Sequence, residues 1–223
     1  MQRLGKRQLL IYVVLAAMLV FMFAACSDAA LFGLIKSRSS SRSVPKHSLI
    51  VFPFDKDPDG AANLPDNFGK DVADYLRSTL SKSKDYATLL YNYSLMPIQR
   101  AKSDNVVKET DMKSPFFADK AKADKIAGIM SSDYYIVGSV ESYAYDSKTK
   151  TVDLALKADL VMTKTGKVMQ QFMVGGSAAA GDQAMEEDEL VSIAAGKAVE
   201  ALGAKILSVS SVAAKTAPTK AQK

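Results

Sequence analysis

The sequence predicts an α/β (α+β) fold, a single mixed sheet of about 4–5 strands with helices packed on it. Three patterns predict it. Residues 48–54 form a nearly continuous apolar run, which is typical of a strand buried on both faces. Residues 67–82 place their apolar side chains on one arc of a helix. Residues 152–162 largely alternate between apolar and polar side chains, the period of a half-exposed antiparallel strand.

Further segments continue the alternation of strand and helix. In order, the predicted elements are a strand over 86–91, a short helix over 96–102, a polar irregular segment over 103–117, a helix over 118–130, a strand over 134–140, a turn over 163–167, a returning strand over 168–174 and a helix over about 182–207. The last helix has an Ala-rich face, which would let it lie close to a sheet.

The single cysteine, Cys26, ends an apolar run over residues 9–25, and basic residues precede that run. A lone thiol cannot form an internal disulfide. A charged start, an apolar stretch, small residues and then Cys form the pattern of a bacterial lipoprotein signal. The sequence therefore predicts that residues 1–25 are removed and that Cys26 is lipidated.

Two alternatives for this segment stay open. Phe23 stands where the usual lipobox has Leu, and an ordinary signal peptidase could instead cleave beside Ala25 and Ser27. The segment could also stay as an uncleaved anchor with its basic end in the cytoplasm. In all three cases the body of the chain lies outside the cytosol. We expect a lipoprotein that faces the periplasm, on the outer membrane in preference to the inner one.

The chain divides into four predicted parts. They are the signal peptide 1–25, the lipidated Cys with a flexible Ser-rich basic tether over 26–46, the α/β domain over 47–207 and a disordered tail over 208–223. Removal of residues 1–25 takes away three basic residues and lowers the formal net charge from +5 to about +2. A charge this small gives no reason to expect nucleic-acid binding.

The loop after the first strand has the spacing of a calcium-binding loop. The candidate oxygen ligands are Asp55, Asp57, Asp59, Asn63 and Asp66, with Gly60 at the sixth position. Such ligands in that order suit a hard cation. The last position, however, is Asp in place of Glu, and two prolines stiffen the loop. A polar strand-to-helix connection without metal therefore stays open. No other cofactor is expected.

The order of several short motifs resembles a known group of envelope domains. The motifs are Ile50-Val51-Phe52-Pro53-Phe54, Gly69-Lys70-Asp71-Val72-Ala73-Asp74-Tyr75-Leu76, Ser132-Asp133-Tyr134-Tyr135-Ile136-Val137-Gly138-Ser139-Val140 and Thr163-Lys164-Thr165-Gly166-Lys167-Val168. Over about residues 48–207 they resemble CsgG-like and TolB N-terminal-like domains, a group that includes penicillin-binding-protein activator lipoproteins. The resemblance implies an envelope domain that works through protein contacts.

We therefore expect a non-enzymatic protein-binding or accessory module of a secretion or cell-wall complex, held at the membrane by its lipid. An oligomeric curli-type secretion channel subunit and an uncharacterised envelope enzyme stay open as alternatives. His47 is the only histidine, and no nucleophile-elbow pattern accompanies it, so no catalytic residue is assigned. The tyrosines are expected in strands and at sheet edges, and an unspecified subset of them could line a groove for a partner. They are Tyr86, Tyr91, Tyr93, Tyr134, Tyr135, Tyr143 and Tyr145.

Overall fold

A computed structural model describes residues 47–181 and 184–216 of the chain, with side chains described through residue 209. The predicted signal peptide, Cys26, the tether over 26–46 and residues 217–223 lie outside the described residues. Among the described residues, no helix combines the length and the apolar character that a membrane crossing requires.

The described residues form one mixed sheet of six strands, which confirms the predicted fold class. The strands are β1 His47–Val51, β2 Asp55–Lys56, β3 Tyr86–Leu90, β4 Tyr134–Asp146, β5 Thr151–Met162 and β6 Lys167–Ala179. Their order is β3-β1-β4-β5-β6, and the short β2 pairs with β4. Strand β1 is parallel to β3 and β4, whereas β4, β5 and β6 form an antiparallel meander.

Helices cover both faces of this sheet. They are α1 Phe68–Ser81, α2 Met96–Ser103, a 3₁₀ helix Glu109–Met112, α3 Lys120–Ile129 and α4 Glu187–Thr216. Helices α1 and α4 pack on the first face, together with Leu49 and Val51. Helices α2 and α3 pack on the second face, together with Ile50 and Phe52. Strand β1 is therefore buried on both faces, as its apolar run predicts.

Several element boundaries differ from the prediction. The first strand ends at Val51 because Pro53 has no N–H to give to a ladder. The neighbouring N–H groups still find acceptors: that of Phe52 donates to the carbonyl of Ile136, and that of Phe54 to the carbonyl of Gly69. Strand β6 continues to Ala179 rather than ending at residue 174.

The end of the domain also differs. Helix α4 runs to Thr216, so the tail predicted as disordered from residue 208 is helical over 208–216. The sequence over 208–216 contains neither Gly nor Pro, and Pro218 is the first residue that opposes a helix.

Helix α4 lies unusually close to β6. A Cβ placed on Gly176 would lie 1.9 Å from the carbonyl oxygen of Ala194 and 2.8 Å from the amide nitrogen of Ala198. Both atoms belong to the helix backbone and cannot rotate away. The Ala-rich face of the helix and a glycine on the strand thus permit a contact that larger side chains would prevent.

We expect Gly176→Ala to destabilise the domain by roughly 1–3 kcal/mol, because the added methyl must push α4 away from the sheet. Urea unfolding followed by circular dichroism measures this change. Gly128→Ala is the matched control, since a Cβ at Gly128 in α3 meets no atom within 4 Å. The control should gain up to about 1 kcal/mol from the better helix propensity of Ala. Equal effects of the two substitutions would contradict the close packing.

Candidate functional site

The sheet topology opens a crevice between β1 and β3. The connection that leaves β1 leads to α1 on the first face, whereas the connection that leaves the neighbouring β3 leads to α2 on the second face. In open α/β sheets, ligands bind outside the carboxyl ends of strands at such a switch point. We call the cavity at this position the switch-point groove.

The switch-point groove has a volume of about 390 Å³. Its lining residues are Pro53, Lys70, Tyr91, Asn92, Tyr93, Ser94, Met112, Lys113, Ser114 and Phe116. Tyr91, Met112 and Phe116 are buried and form an apolar floor. The two lysines and Tyr93 are exposed, which places them at the rim.

Contacts with the core fix the floor of the groove. The ring of Phe52 stacks on Tyr91 with 4.9 Å between the ring centroids, and it lies 4.8 Å from the ring of Phe116. The Tyr91 hydroxyl donates to the Met112 carbonyl at 2.8 Å. Burial raises the pKa of Tyr91 to about 12, so this hydroxyl stays protonated and keeps donating at neutral pH.

The carboxylate of Asp55 fixes one wall of the groove, which consists of Phe116 and the residues that follow it. Asp55 accepts the backbone N–H of Phe116 at 3.1 Å, that of Phe117 at 2.7 Å and that of Ala118 at 3.3 Å. A carboxylate that receives three amides makes strong, charge-assisted hydrogen bonds. Asp55 therefore ties the segment before α3 to β2.

The charge of the rim is positive. Lys113 pairs with Glu109 at 2.9 Å, and Lys102 reaches the same carboxylate at 3.5 Å, so this cluster carries two cations and one anion. Hydrogen bonding and attraction to Glu109 raise the pKa of Lys113. Within the described part of the chain, Lys70 makes no ion pair. None of the groove's lining residues is acidic.

A second candidate surface is the outer edge of β6. In the part of the chain that the structure describes, β6 pairs with β5 alone. After Lys167, the strand contains no charged residue up to its end. Met173 is 63% exposed and Met169 is 41% exposed. Free edges of this kind can pair with another chain, and proteins usually protect them with charges or bulges.

Two lysines of α4 cover part of this edge. The ammonium of Lys197 donates to the carbonyl of Ser177 at 2.8 Å, and that of Lys205 donates to the carbonyl of Met173 at 3.0 Å. The eight-residue step from Lys197 to Lys205 rises about 12 Å along the helix, and the four-residue step from Ser177 to Met173 spans about 13 Å along the strand. The spacing of the lysines therefore matches the spacing of the carbonyls that they reach. Ala201 lies midway between the lysines and is too short to reach the strand.

Gly175 consequently lies uncovered between the two carbonyls that the lysines of α4 occupy. Backbone groups of a strand point to alternate sides, so Gly175 faces the same side as Met173 and Ser177. No lysine of α4 stands opposite it. A Cβ at Gly175 would meet one atom within 4 Å, the carbonyl oxygen of Leu154 at 3.6 Å, which is an ordinary contact.

The predicted calcium ligands do not come together in the structure. Asp55 is turned to the amides of residues 116–118, and Asp57 accepts the N–H groups of Asp59 and Gly60 within its own turn. Asp66 pairs with the ammonium of Lys56 at 3.0 Å. The side chains of Asp59 and Asn63 are exposed. Among the described residues, no group of three or more His, Cys, Asp or Glu side chains could hold a metal ion.

The structure also shows the surroundings of Asp159 and His47. The alternation of β5 predicts Asp159 on the exposed side of the strand, but its side chain is buried, and the ammonium of Lys120 in α3 lies 2.5 Å from one of its oxygens. Its other oxygen has no hydrogen-bond partner within the described residues. His47 is exposed, and its ring packs edge-on to Tyr134 at 5.3 Å.

The sequence predicted that a subset of seven tyrosines lines a partner groove without specifying which, and the structure places Tyr91 and Tyr93 in the switch-point groove. The contribution of Met112 and Phe116 from the irregular segment was not predicted, and neither was the β6 edge. For β6, an available signal was the alternation of Phe172, Val174 and Ala178 with more polar residues past the Gly-Gly pair.

We expect Asp55→Asn to cost about 2 kcal/mol of unfolding free energy, because an amide replaces a charged acceptor and turns an NH₂ group toward backbone donors. Asp59→Asn is the matched control, since the Asp59 side chain is exposed, and it should stay within about 0.5 kcal/mol of the wild type. Urea unfolding at pH 7 compares the three proteins. A tolerated Asp55→Asn would show that Asp55 does not hold the wall of the groove.

Comparisons with known proteins leave the family of the chain unassigned. No family model matches the chain, and no curated protein matches it. The resemblance to CsgG-like and TolB N-terminal-like domains is therefore not confirmed by a family match.

Solved structures are similar to the chain at low identity. The lipoprotein GNA1162 from Neisseria meningitidis is 18% identical, with 73% of this chain and 99% of that chain covered and a TM-score of 0.42. A PelC dodecamer from Paraburkholderia phytofirmans is 13% identical, with 75% of this chain and 90% of that chain covered and a TM-score of 0.45. The LpoB C-terminal domain from Escherichia coli is 16% identical, with 59% of this chain and 83% of that chain covered and a TM-score of 0.41. At these values the similarity assigns neither a family nor a function to this chain.

Proposed function

We propose that the chain is a bacterial cell-envelope lipoprotein that acts as a non-enzymatic accessory module, and that it binds a protein partner by strand addition at the β6 edge. The observation that carries this proposal is the length and composition of that edge. Thirteen residues of β6 border it, and Lys167 at the start is the one charged residue among them. An extended segment of another chain gains main-chain hydrogen bonds on such an edge.

The side chains beside the edge support a contact with another protein. Met169 and Met173 are exposed along β6, and methionine adapts its shape to different apolar partners. On the opposite face, Phe172 and Val174 are buried under α4 and hold the strand in place. The edge therefore combines backbone groups held in fixed positions with flexible methionine side chains on one face.

The charges beside the edge indicate the chemistry of the partner. Lys167, Lys197 and Lys205 all lie along it. A second copy of this chain, paired with the first through β6, would bring lysines of the same sign together. The tether over 26–46 is basic as well. An extended partner segment with acidic side chains fits the edge better than a second copy of the chain or the tether. Its carboxylates would pair with the lysines that the added strand displaces from the β6 carbonyls.

The membrane anchor completes the proposed mechanism. The lipid on Cys26 would keep the domain at the membrane, and the Ser-rich tether would set how far it reaches. A flexible tether raises the effective concentration of the domain near an envelope complex, so an edge contact of modest affinity is sufficient. No catalytic step is required of the domain in this role.

We expect Gly175→Pro to abolish partner binding while the domain stays folded. The N–H of Gly175 faces the free edge, where a proline breaks no hydrogen bond of the sheet but removes a donor for an added strand. The readout is photo-crosslinking in living cells from a crosslinker placed at Ser177. One specific protein adduct is expected in the otherwise wild-type chain, and none with Gly175→Pro.

Two controls make this experiment decisive. A crosslinker at the exposed Asp74 of α1 should give no adduct with that partner. Thermal unfolding of Gly175→Pro should stay within a few degrees of the wild type, whereas Gly176→Pro, on the side that pairs with β5, should unfold the meander. An adduct that persists with Gly175→Pro would refute strand addition. An adduct between two copies of the chain would show a homo-oligomer instead.

We expect Cys26→Ser to leave the chain unprocessed, because lipidation of the cysteine precedes cleavage of a lipoprotein signal. Fractionation and intact-mass measurement compare the mutant with the wild type, whose mass should correspond to residues 26–223 plus acyl chains. Ala25→Leu, which removes the small residue before the cysteine, should impair processing in the same way. A wild type that retains residues 1–25 would support the uncleaved anchor instead.

A further inference from the structure

We infer that the switch-point groove binds a small organic anion with an apolar body. The acid group would lie at the lysines of the rim, and the apolar body would rest on the floor formed by Tyr91, Met112 and Phe116. This site is separate from the β6 edge and does not depend on strand addition.

The size and depth of the groove suit a small molecule. Its volume of about 390 Å³ falls within the range of roughly 300–1,000 Å³ found for small-molecule sites. Its floor consists of buried aromatic and thioether side chains, whose accessible atoms at the bottom of the groove would contact an apolar body. The floor is preformed, because the Tyr91 hydroxyl is tied to the Met112 carbonyl and Phe52 supports both aromatic rings from below.

Charge complementarity selects an anion. Lys70 and Lys113 both line the groove, and no lining residue is acidic. Glu109 offsets part of the charge of Lys113, but Lys70 has no counter-ion within the described residues. Lys70 is exposed and free to pair with an acid group, whereas a cation would be repelled. An acid group that pairs with Lys70 therefore completes the electrostatics of the site.

The polar residues of the lining add hydrogen-bonding capacity near the rim. The side-chain oxygen of Asn92 accepts both the N–H and the hydroxyl of Ser94, at 2.9 Å each, and this fixes the turn after β3. The amide NH₂ of Asn92 remains as a donor. Ser114 offers a hydroxyl on the opposite segment. Donors of this kind orient a carboxylate without adding a negative charge of their own.

A small ligand fits better than a long peptide. Tyr93 is 63% exposed and lines the groove, and the exposed Met96 follows it at the start of α2. The backbone of this segment is already engaged: the Tyr93 carbonyl accepts the Gln99 side-chain amide, and the Tyr91 N–H donates to the Val51 carbonyl. An extended peptide would find few free backbone groups here, in contrast to the β6 edge.

The chain carries its own reporters for a test. Met112 lines the groove, whereas Met169 and Met173 lie on β6. Full-length protein in lipid nanodiscs, labelled with ¹³C at the methionine methyl groups, would be titrated with 4-phenylbutyrate. The matched neutral probe is 4-phenyl-1-butanol, and Met112→Leu assigns the Met112 signal. For a probe of this size we expect a dissociation constant on the order of a millimolar.

The expected result is a saturable shift of the Met112 methyl signal with phenylbutyrate and at least about tenfold weaker binding of phenylbutanol. Lys70→Gln combined with Lys113→Gln should remove the preference for the acid. Lys84→Gln, a change at an exposed lysine that does not line the groove, should leave the preference unchanged. The unchanged signals of Met169 and Met173 would show that each variant remains folded.

Three results would overturn the inference. They are an unmoved Met112 signal, equal binding of the acid and the alcohol, and shifts confined to Met169 and Met173. The last result would place the probe at β6. Because Gly175→Pro does not touch the groove, it should leave phenylbutyrate binding intact, so failure of strand addition and failure of the ligand site can be distinguished.

Discussion

The close contact between α4 and β6 is the constraint on which most of this structure depends. The backbone of the helix can approach the strand because Gly176 presents no side chain to Ala194 and Ala198. This approach seals the first face of the antiparallel meander. It also brings Lys197 and Lys205 within hydrogen-bonding reach of the strand carbonyls. A larger residue at position 176 would therefore weaken the core and, with it, the protection of the sheet edge.

The parallel half of the sheet is organised by a different interaction. Here Asp55 gathers three backbone amides of the segment before α3, and Phe52 supports the aromatic rings of Tyr91 and Phe116. These contacts give the switch-point groove a rigid floor and one fixed wall. The same carboxylate was the first candidate ligand of the predicted calcium loop. In the structure its oxygens accept the amides of residues 116–118.

Much of the fold could be predicted from the sequence because its signals are periodic. The apolar run 48–54, the helical arc 67–82 and the alternation 152–162 each depend on local spacing, and each corresponds to an element of the structure. Boundaries were less predictable. The end of β1 depends on Pro53, and the buried Asp159 of β5 pairs with Lys120 of α3, which is a tertiary contact that no local period reveals.

The candidate surfaces were harder to predict than the fold. The switch-point groove combines residues from four separate segments, and only the strand order brings them to one place. The β6 edge depends on which strand remains last in the sheet, which the sequence does not specify. The motifs that resemble envelope domains describe well-packed strands and helices. They contain no information about the switch-point groove or the β6 edge.

The spacing of the two lysines on α4 has a kinetic consequence. Between them, Gly175 leaves a short stretch of backbone uncovered, which can serve as a nucleation point for an incoming strand. Pairing that starts there would extend in both directions and displace Lys205 from Met173 on one side and Lys197 from Ser177 on the other. Each of these two displacements exchanges one hydrogen bond for another, so the two lysines would not have to leave at the same time.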